Sequence, residues 1–309
     1  MKPDTPSTQH STDIDRTVVE SIEALGSRQR LEILVTLADR KYDPETDGET
    51  MTFTELYEAI DCPSSSQFSY HLNQLVDTFI IQTSDGYRLT YAGDKVQRAI
   101  FSGLYQSPKP IEPFEIDGFC PSCESHSLVA CSRNDQFTVR CQSCDCTLLR
   151  DLFPRSIATN RSTQEIVDSF GHSLWAKFVF VRGGVCPECY GTVDTEIEQT
   201  DRGNTPFSVA ICRCSECRFT VHVPVDVIVA FHPAVTEAFW HHGLSLLDTP
   251  LWELFEYFAM DCWEFNVHSE TPFVARITIR LDDIRLQLSV DDTLSPTLVA
   301  RSEPDQETP

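Results

Sequence analysis

The stretch 120–144, CPSCESHSLVACSRNDQFTVRCQSC, begins and ends on a Cys-x-x-Cys pair, and so does the stretch 186–217, CPECYGTVDTEIEQTDRGNTPFSVAICRCSEC. A Cys-x-x-Cys turn offers two thiolates to one ion and leaves backbone amides free to donate to the sulfurs. Two such knuckles complete a tetrahedral all-thiolate site, closed to water and therefore structural. The candidate ligands are Cys120, Cys123, Cys141 and Cys144 for one site, and Cys186, Cys189, Cys214 and Cys217 for the other. The interval 124–140 has the usual length for such a site, and the interval 190–213 is somewhat longer. Each reads as a β-hairpin. Leu128-Val-Ala and Phe137-Thr-Val flank Ser132-Arg-Asn-Asp, and Val193–Ile197 and Phe207–Ile211 flank Thr200–Asn204. Hairpins between knuckles are the arrangement of a zinc ribbon, here at 120–146 and again at 186–219. Thiolates select zinc, with iron–sulfur as the lesser option. Small ribbons bury little core, so zinc is expected to supply most of their folding energy.

Five of the 13 cysteines remain: Cys62, Cys131, Cys146, Cys212 and Cys262. Cys146 and Cys212 each lie two residues from a proposed ligand and could exchange with it. The five read either as small buried hydrophobes or as a redox- or metal-sensing site. So many cysteines behind a polar N-terminus, MKPDTPSTQHSTD, point to a reducing cytoplasm rather than to disulfides. No apolar run approaches the ~20 residues that span a bilayer, so no membrane partner is expected. The 309 residues are 41% hydrophobic, enough for real cores. Lys+Arg is 24 against 47 Asp+Glu, and only five of the 24 are lysine. Net charge of −23 with so little lysine has the look of a salt-in halophile, where charge keeps a protein soluble.

Upstream of the cysteines the pattern is helical. Val18, Val19, Ile22 and Leu25 are at helical spacing. Ser27 can cap a second helix with Leu31, Leu34, Val35 and Ala38 as its stripe, and Thr52-Phe-Thr-Glu55 is a capping box. A helix is predicted over 65–78 with Phe68, Leu72, Leu75, Val76 and Phe79 inward. Ile80–Thr83, Ser84-Asp-Gly and Tyr87-Arg-Leu make a hairpin, and Thr90 caps a last helix through Val96, Ile100 and Leu104.

Three segments in this order, Ala24-Leu-Gly-Ser-Arg-Gln-Arg-Leu-Glu-Ile-Leu, Ser69-Tyr-His-Leu-Asn-Gln-Leu and Gly86-Tyr-Arg-Leu-Thr-Tyr-Ala-Gly, resemble the ArsR-type winged helix-turn-helix regulators. The resemblance covers roughly residues 17–105. The whole chain is similar to halophilic archaeal proteins in which a cysteine-rich domain of unassigned function follows such a module. The resemblance implies double-stranded DNA as partner, a homodimer through the first and last helices, and a recognition helix in the major groove. Here that helix is 65–78. At 100° per residue it turns Ser66, Tyr70, Asn73 and Asp77 outward, with Gln67 and Gln74 at their flanks. The candidate DNA contacts are Ser65, Ser66, Gln67, Tyr70, Asn73 and Gln74, with Arg88 from the hairpin. The departure from a good DNA binder is charge. Residues 17–107 hold seven basic and fourteen acidic side chains, and the helix has no Lys or Arg. Phosphate neutralisation normally supplies much of the affinity, but in molar salt that contribution is small for any protein.

The expected architecture is α+β. It comprises a tail at 1–13, the winged helix-turn-helix at 14–106 and a proline-rich linker at 107–117. A domain at 118–300 follows, with the two ribbons, helices and a C-terminal antiparallel β-hairpin, and a second tail spans 301–309. Within that domain Ser162-Thr-Gln-Glu165 caps a helix. Phe273, Ala275, Ile277, Ile279 and Leu281, then Ile284, Leu286, Leu288 and Val290, make the inner face of the final hairpin around Asp282-Asp283. No phosphate-cradling glycine loop, HExxH or GxSxG is present, so no enzyme is expected. The function expected is a DNA-binding transcriptional regulator whose ribbons are structural within a sensing or recruiting domain. The alternative is a protein-interaction adaptor in which the winged helix serves dimerisation and the ribbons dock transcription machinery.

Overall fold

The computed structural model describes residues 14–43, 49–107, 109–202, 205–259, 262–281 and 284–302, without the side chains of 200–202 and 205–207. The predicted tail at 1–13, residues 303–309 of the other tail, the Asp282-Asp283 turn and part of the Thr200–Asn204 turn lie outside them. The chain is mixed α+β and divides into two units, Met1–Gln106 and Ser107–Pro309.

The first unit holds α1 (Arg16–Ala24), α2 (Arg28–Tyr42), α3 (Phe53–Ala59), α4 (Ser65–Asn73), a hairpin of β1 (Ile80–Thr83) and β2 (Gly86–Leu89), and α5 (Tyr91–Phe101). Local chemistry sets the boundaries. Asp15 caps α1. The Thr52 and Glu55 side chains cap each other's backbone at α3. Ser64 accepts from the Gln67 amide at 3.3 Å, and Thr90 from the Gly93 amide at 3.1 Å. Ile33, Leu34, Leu37, Leu56, Phe68, Leu72, Leu75 and Ile80 form the core. Two expectations are corrected. On α2 the buried stripe is Ile33, Leu34, Leu37 and Ala38, with Leu31 and Val35 only half-buried. The predicted 65–78 helix stops at Asn73, because Asp77 takes φ 72° and its amide turns to the Ile80 carbonyl, at 2.8 Å. Leu75 and Phe79 still enter the core, but from a turn, and Asp77 is not on a helix face.

Among the described residues the second unit has three antiparallel sheets. The first is β3 (Ile111–Ile116), β4 (Leu128–Arg133), β5 (Gln136–Cys141) and β6 (Thr147–Leu152), in that order. The second is β7 (Val193–Arg202), β8 (Thr205–Cys214) and β9 (Thr220–Pro224). The third is β10 (Trp263–Glu270), β11 (Phe273–Leu281), β12 (Ile284–Asp291) and β13 (Pro296–Ser302). Between the first two sheets run the short α6 (Arg155–Ala158) and the 20-residue α7 (Thr163–Arg182), the latter begun by the Ser162/Glu165 capping box. A 3-10 turn (Val225–Phe231), α8 (Pro233–His241) and α9 (Leu251–Ala259) precede the third sheet. One apolar core joins all three sheets to α7, α8 and α9, with Phe137, Phe170, Phe178, Trp252 and Ile277 sealed inside it.

Here too the pattern differs from expectation. Residues 111–116 are not linker but an edge strand, with Phe114 opposite Ala130 and Ile116 opposite Leu128. Pro113 within it suits an edge that needs few ladder donors. The ribbon hairpins carry extra strands, β3 and β6 in one and β9 in the other, and the C-terminal hairpin is the centre of a four-stranded sheet whose last strand runs through Arg301 and Ser302. The two hairpins between knuckles therefore share a large apolar core.

Candidate metal centres

All four knuckles have one backbone design. The amide of the residue after the second cysteine returns to the carbonyl of the first: Glu124 to Cys120, Asp145 to Cys141, Tyr190 to Cys186 and Arg218 to Cys214, at 2.8 to 3.2 Å. That closure needs a left-handed residue, and these four have φ of 56°, 59°, 62° and 64°. The amide of each first cysteine then donates to a carbonyl five residues on: Ser125, Cys146, Gly191 and Phe219. The turn leaves the first sulfur of each knuckle buried and the second exposed. Further amides aim at the sulfurs: Ser143 at Cys141 (3.3 Å), Glu188 at Cys186 (3.4 Å), Gly191 at Cys189 (3.4 Å) and Glu216 at Cys214 (3.4 Å).

The sequence-predicted ligands come together as two groups, and in each group all four sulfurs lie within 4.8 Å of one another. Cys120 and Cys144 are 3.7 Å apart, Cys123 and Cys141 3.6 Å, Cys186 and Cys217 3.5 Å, and Cys189 and Cys214 3.5 Å. A disulfide would bring sulfurs to about 2.05 Å. A tetrahedron with metal–sulfur bonds of about 2.3 Å has edges of about 3.8 Å, which these separations approach. Each group can hold one metal ion.

The electrostatics fit a cation. At Cys141 burial pushes the thiol up, but the Ser125 hydroxyl and the Cys144 and Ser143 amides outweigh it and bring it to about 6. At Cys214 the Cys217 amide, against burial and with the Glu216 amide, brings it to about 7. Cys144 and Cys217 are pushed up to about 12: one amide lowers each, but burial and the three neighbouring sulfurs prevail. Four thiolates this close repel one another, so full ionisation of either group requires a positive charge among them.

The remaining cysteines do not exchange with the ligands. Cys146 has the Ser122 hydroxyl on its sulfur at 3.3 Å, and Cys212 is buried beside Thr195, its thiol pushed up by that burial. Cys62 and Cys262 donate to the Ser64 and Tyr257 carbonyls. Ser125 was missed by sequence reasoning. Its hydroxyl lies 3.2 Å from Cys123 and 3.3 Å from Cys141, and only its position two residues after a knuckle hints at that.

On α4, Phe68 and Leu72 are buried, whereas Ser65, Ser66, Gln67, Tyr70 and Asn73, with the capping Gln74, are exposed. Arg88, on β2, is half-buried. His71 is half-buried, with Nδ1 lacking a hydrogen-bond partner. No described helix is long and apolar enough to cross a membrane.

Fold and sulfur geometry together define a two-unit α+β chain whose second unit carries two four-cysteine groups, each able to hold a metal ion. The chain belongs to the family described as Domain of unknown function (DUF7351), which matches residues 117–295. Residues 19–100 match a second family, described as Domain of unknown function (DUF7347). No curated protein and no solved structure matches the chain.

Proposed function

We propose that the chain is a DNA-binding transcriptional regulator of the reducing cytoplasm, with a winged helix-turn-helix in its first unit and two zinc ribbons in its second. The observation that carries the DNA reading is α4: a helix sealed on one side by Phe68 and Leu72, with only uncharged polar groups and Tyr70 on the other, followed after a turn by a hairpin. In this reading Ser65, Ser66 and Gln67 meet base edges in the major groove, and Tyr70, Asn73, Gln74 and Arg88 hold the backbone. Val18, Val19 and Ile22 on α1 and Phe101 on α5, all exposed, supply the apolar surface of a homodimer. Zinc suits an all-cysteine tetrahedron, is redox-inert and stays structural.

Selection of duplexes from a random library by the full-length chain in molar KCl tests this. An enriched two-fold-symmetric motif is expected, bound at least tenfold more weakly by Gln67→Ala or Tyr70→Ala. Binding without sequence preference at any salt overturns it. The excess of acidic over basic side chains in residues 17–107 favours the second reading, an adaptor that docks transcription machinery. Capture of polymerase or a general factor by a chain that binds no DNA would establish it.

A further inference from the structure

A cavity of about 510 Å³ opens in the second unit between β6, α7 and β9. Its size is that of sites which enclose a small organic molecule, about 300–1,000 Å³. The walls are largely apolar: Leu149 on β6, Leu174 and Phe178 on α7, and Phe219 and Val221 at β9. One ammonium is set into them. Lys177, one of only five lysines in the chain, is about four-fifths buried there and donates to Asp151. The other Asp151 oxygen is taken by the Leu152 amide, at 2.7 Å. An ammonium has three donors, and only Asp151 among the described residues engages Lys177. Two of its donors are therefore uncommitted among the described residues.

We propose that this cavity binds a small organic anion with an apolar body, such as an aliphatic or aryl carboxylate. The apolar walls take the body. The uncommitted Lys177 donors take the anionic head. Asp151 stays in place and holds the lysine at the wall. The site lies wholly within the second unit, goes beyond the regulatory reading and stands or falls without any DNA.

Titration of the full-length, metal-loaded chain with 1-anilinonaphthalene-8-sulfonate, an aromatic body with a single anionic head, tests it by fluorescence. Saturable binding at a single site is expected, displaced by decanoate but not by decyltrimethylammonium. Lys177→Met keeps the apolar stem and weakens decanoate at least tenfold, and Lys177→Arg restores it. Val221→Trp or Leu149→Trp fills the cavity and abolishes binding, judged only where metal content and melting match the parent; if neither folds, the Lys177 pair decides. Unsaturable fluorescence, displacement by the cation as well as by decanoate, or unchanged affinity in Lys177→Met overturns the proposal.

Discussion

Asp94 is a carboxylate almost sealed from water at the start of α5, and cations from two helices hold it there. Lys41 on α2 approaches its oxygens at 3.1 Å and Arg98 one turn along α5 at 2.7 Å, with the Tyr42 hydroxyl at 3.4 Å. Burial alone would raise its pKa, but the Lys41 hydrogen bond and the charges of Lys41 and Arg98 hold it below the usual carboxylate range. A folded-state pKa below the unfolded value stabilises the fold at pH above the unfolded value and loses that contribution as pH falls through the folded one. Asp94→Asn should therefore cost about 2 kcal/mol at neutral pH. Its deficit against the parent should shrink as pH falls below about 4. Urea midpoints of the two proteins between neutral pH and pH 3 read both effects. A deficit independent of pH would mean that packing, not charge, is what Asp94 supplies.

Among the elements, two glycines tie the β1–β2 hairpin to its neighbours. Gly86 has φ +134°, and a Cβ there would lie 2.3 Å from the Met51 carbonyl oxygen. A Cβ on Gly93 would lie 2.1 Å from the Phe79 carbonyl oxygen. In both places the contact is with backbone, which cannot rotate away. Gly86→Ala and Gly93→Ala should each cost about 2–3 kcal/mol. Gly184 has φ +70° but nothing within 4 Å of its added Cβ, so Gly184→Ala should cost only about 1 kcal/mol. Denaturant unfolding of the three variants ranks them, and an equal loss in all three would refute the steric argument. Neither contact is visible in the sequence, where Gly86 reads only as a turn residue and Gly93 as a helix interior. What was legible is what depends on local chemistry: the Thr52/Glu55 and Ser162/Glu165 boxes, the β11–β12 inner face and the pairing of knuckles. What was not legible depends on partners far along the chain. β3 is a strand only because β4 lies beside it. α4 ends early because Asp77 turns back to Ile80, although the apolar spacing through Leu75 and Phe79 continues as if helical. The left-handed residue of each knuckle escaped too, since Glu124, Asp145, Tyr190 and Arg218 share no side-chain type.

At the scale of the whole molecule, the two units have separate cores, and both four-cysteine groups belong to the second. The buried sulfurs Cys120, Cys141, Cys186 and Cys214 are part of that second core, so an ion held by either group would fix the loops at a sheet's end against it. A metal there stabilises only the state that presents four converged thiolates, and its binding energy becomes folding energy. Because the sheets also share Phe137, Phe170 and Trp252, loss of one ion should weaken the unit without dissolving it. The chain is expected to carry about two zinc ions, and Cys120→Ala or Cys186→Ala about one. For a unit of this size a loss of about 4 kcal/mol lowers the midpoint by roughly 10 °C. Elemental analysis and calorimetry together check this, and the α1–α5 unit should keep its own transition in both variants. A strong chelator should act as Cys120→Ala and Cys186→Ala combined would, with thiolates reprotonating as the ions leave, so that mild acid assists it and alkali opposes it. Parent protein with fewer than two ions, or a Cys120→Ala variant that keeps both its ion content and its midpoint, would remove the metal from the account of this fold.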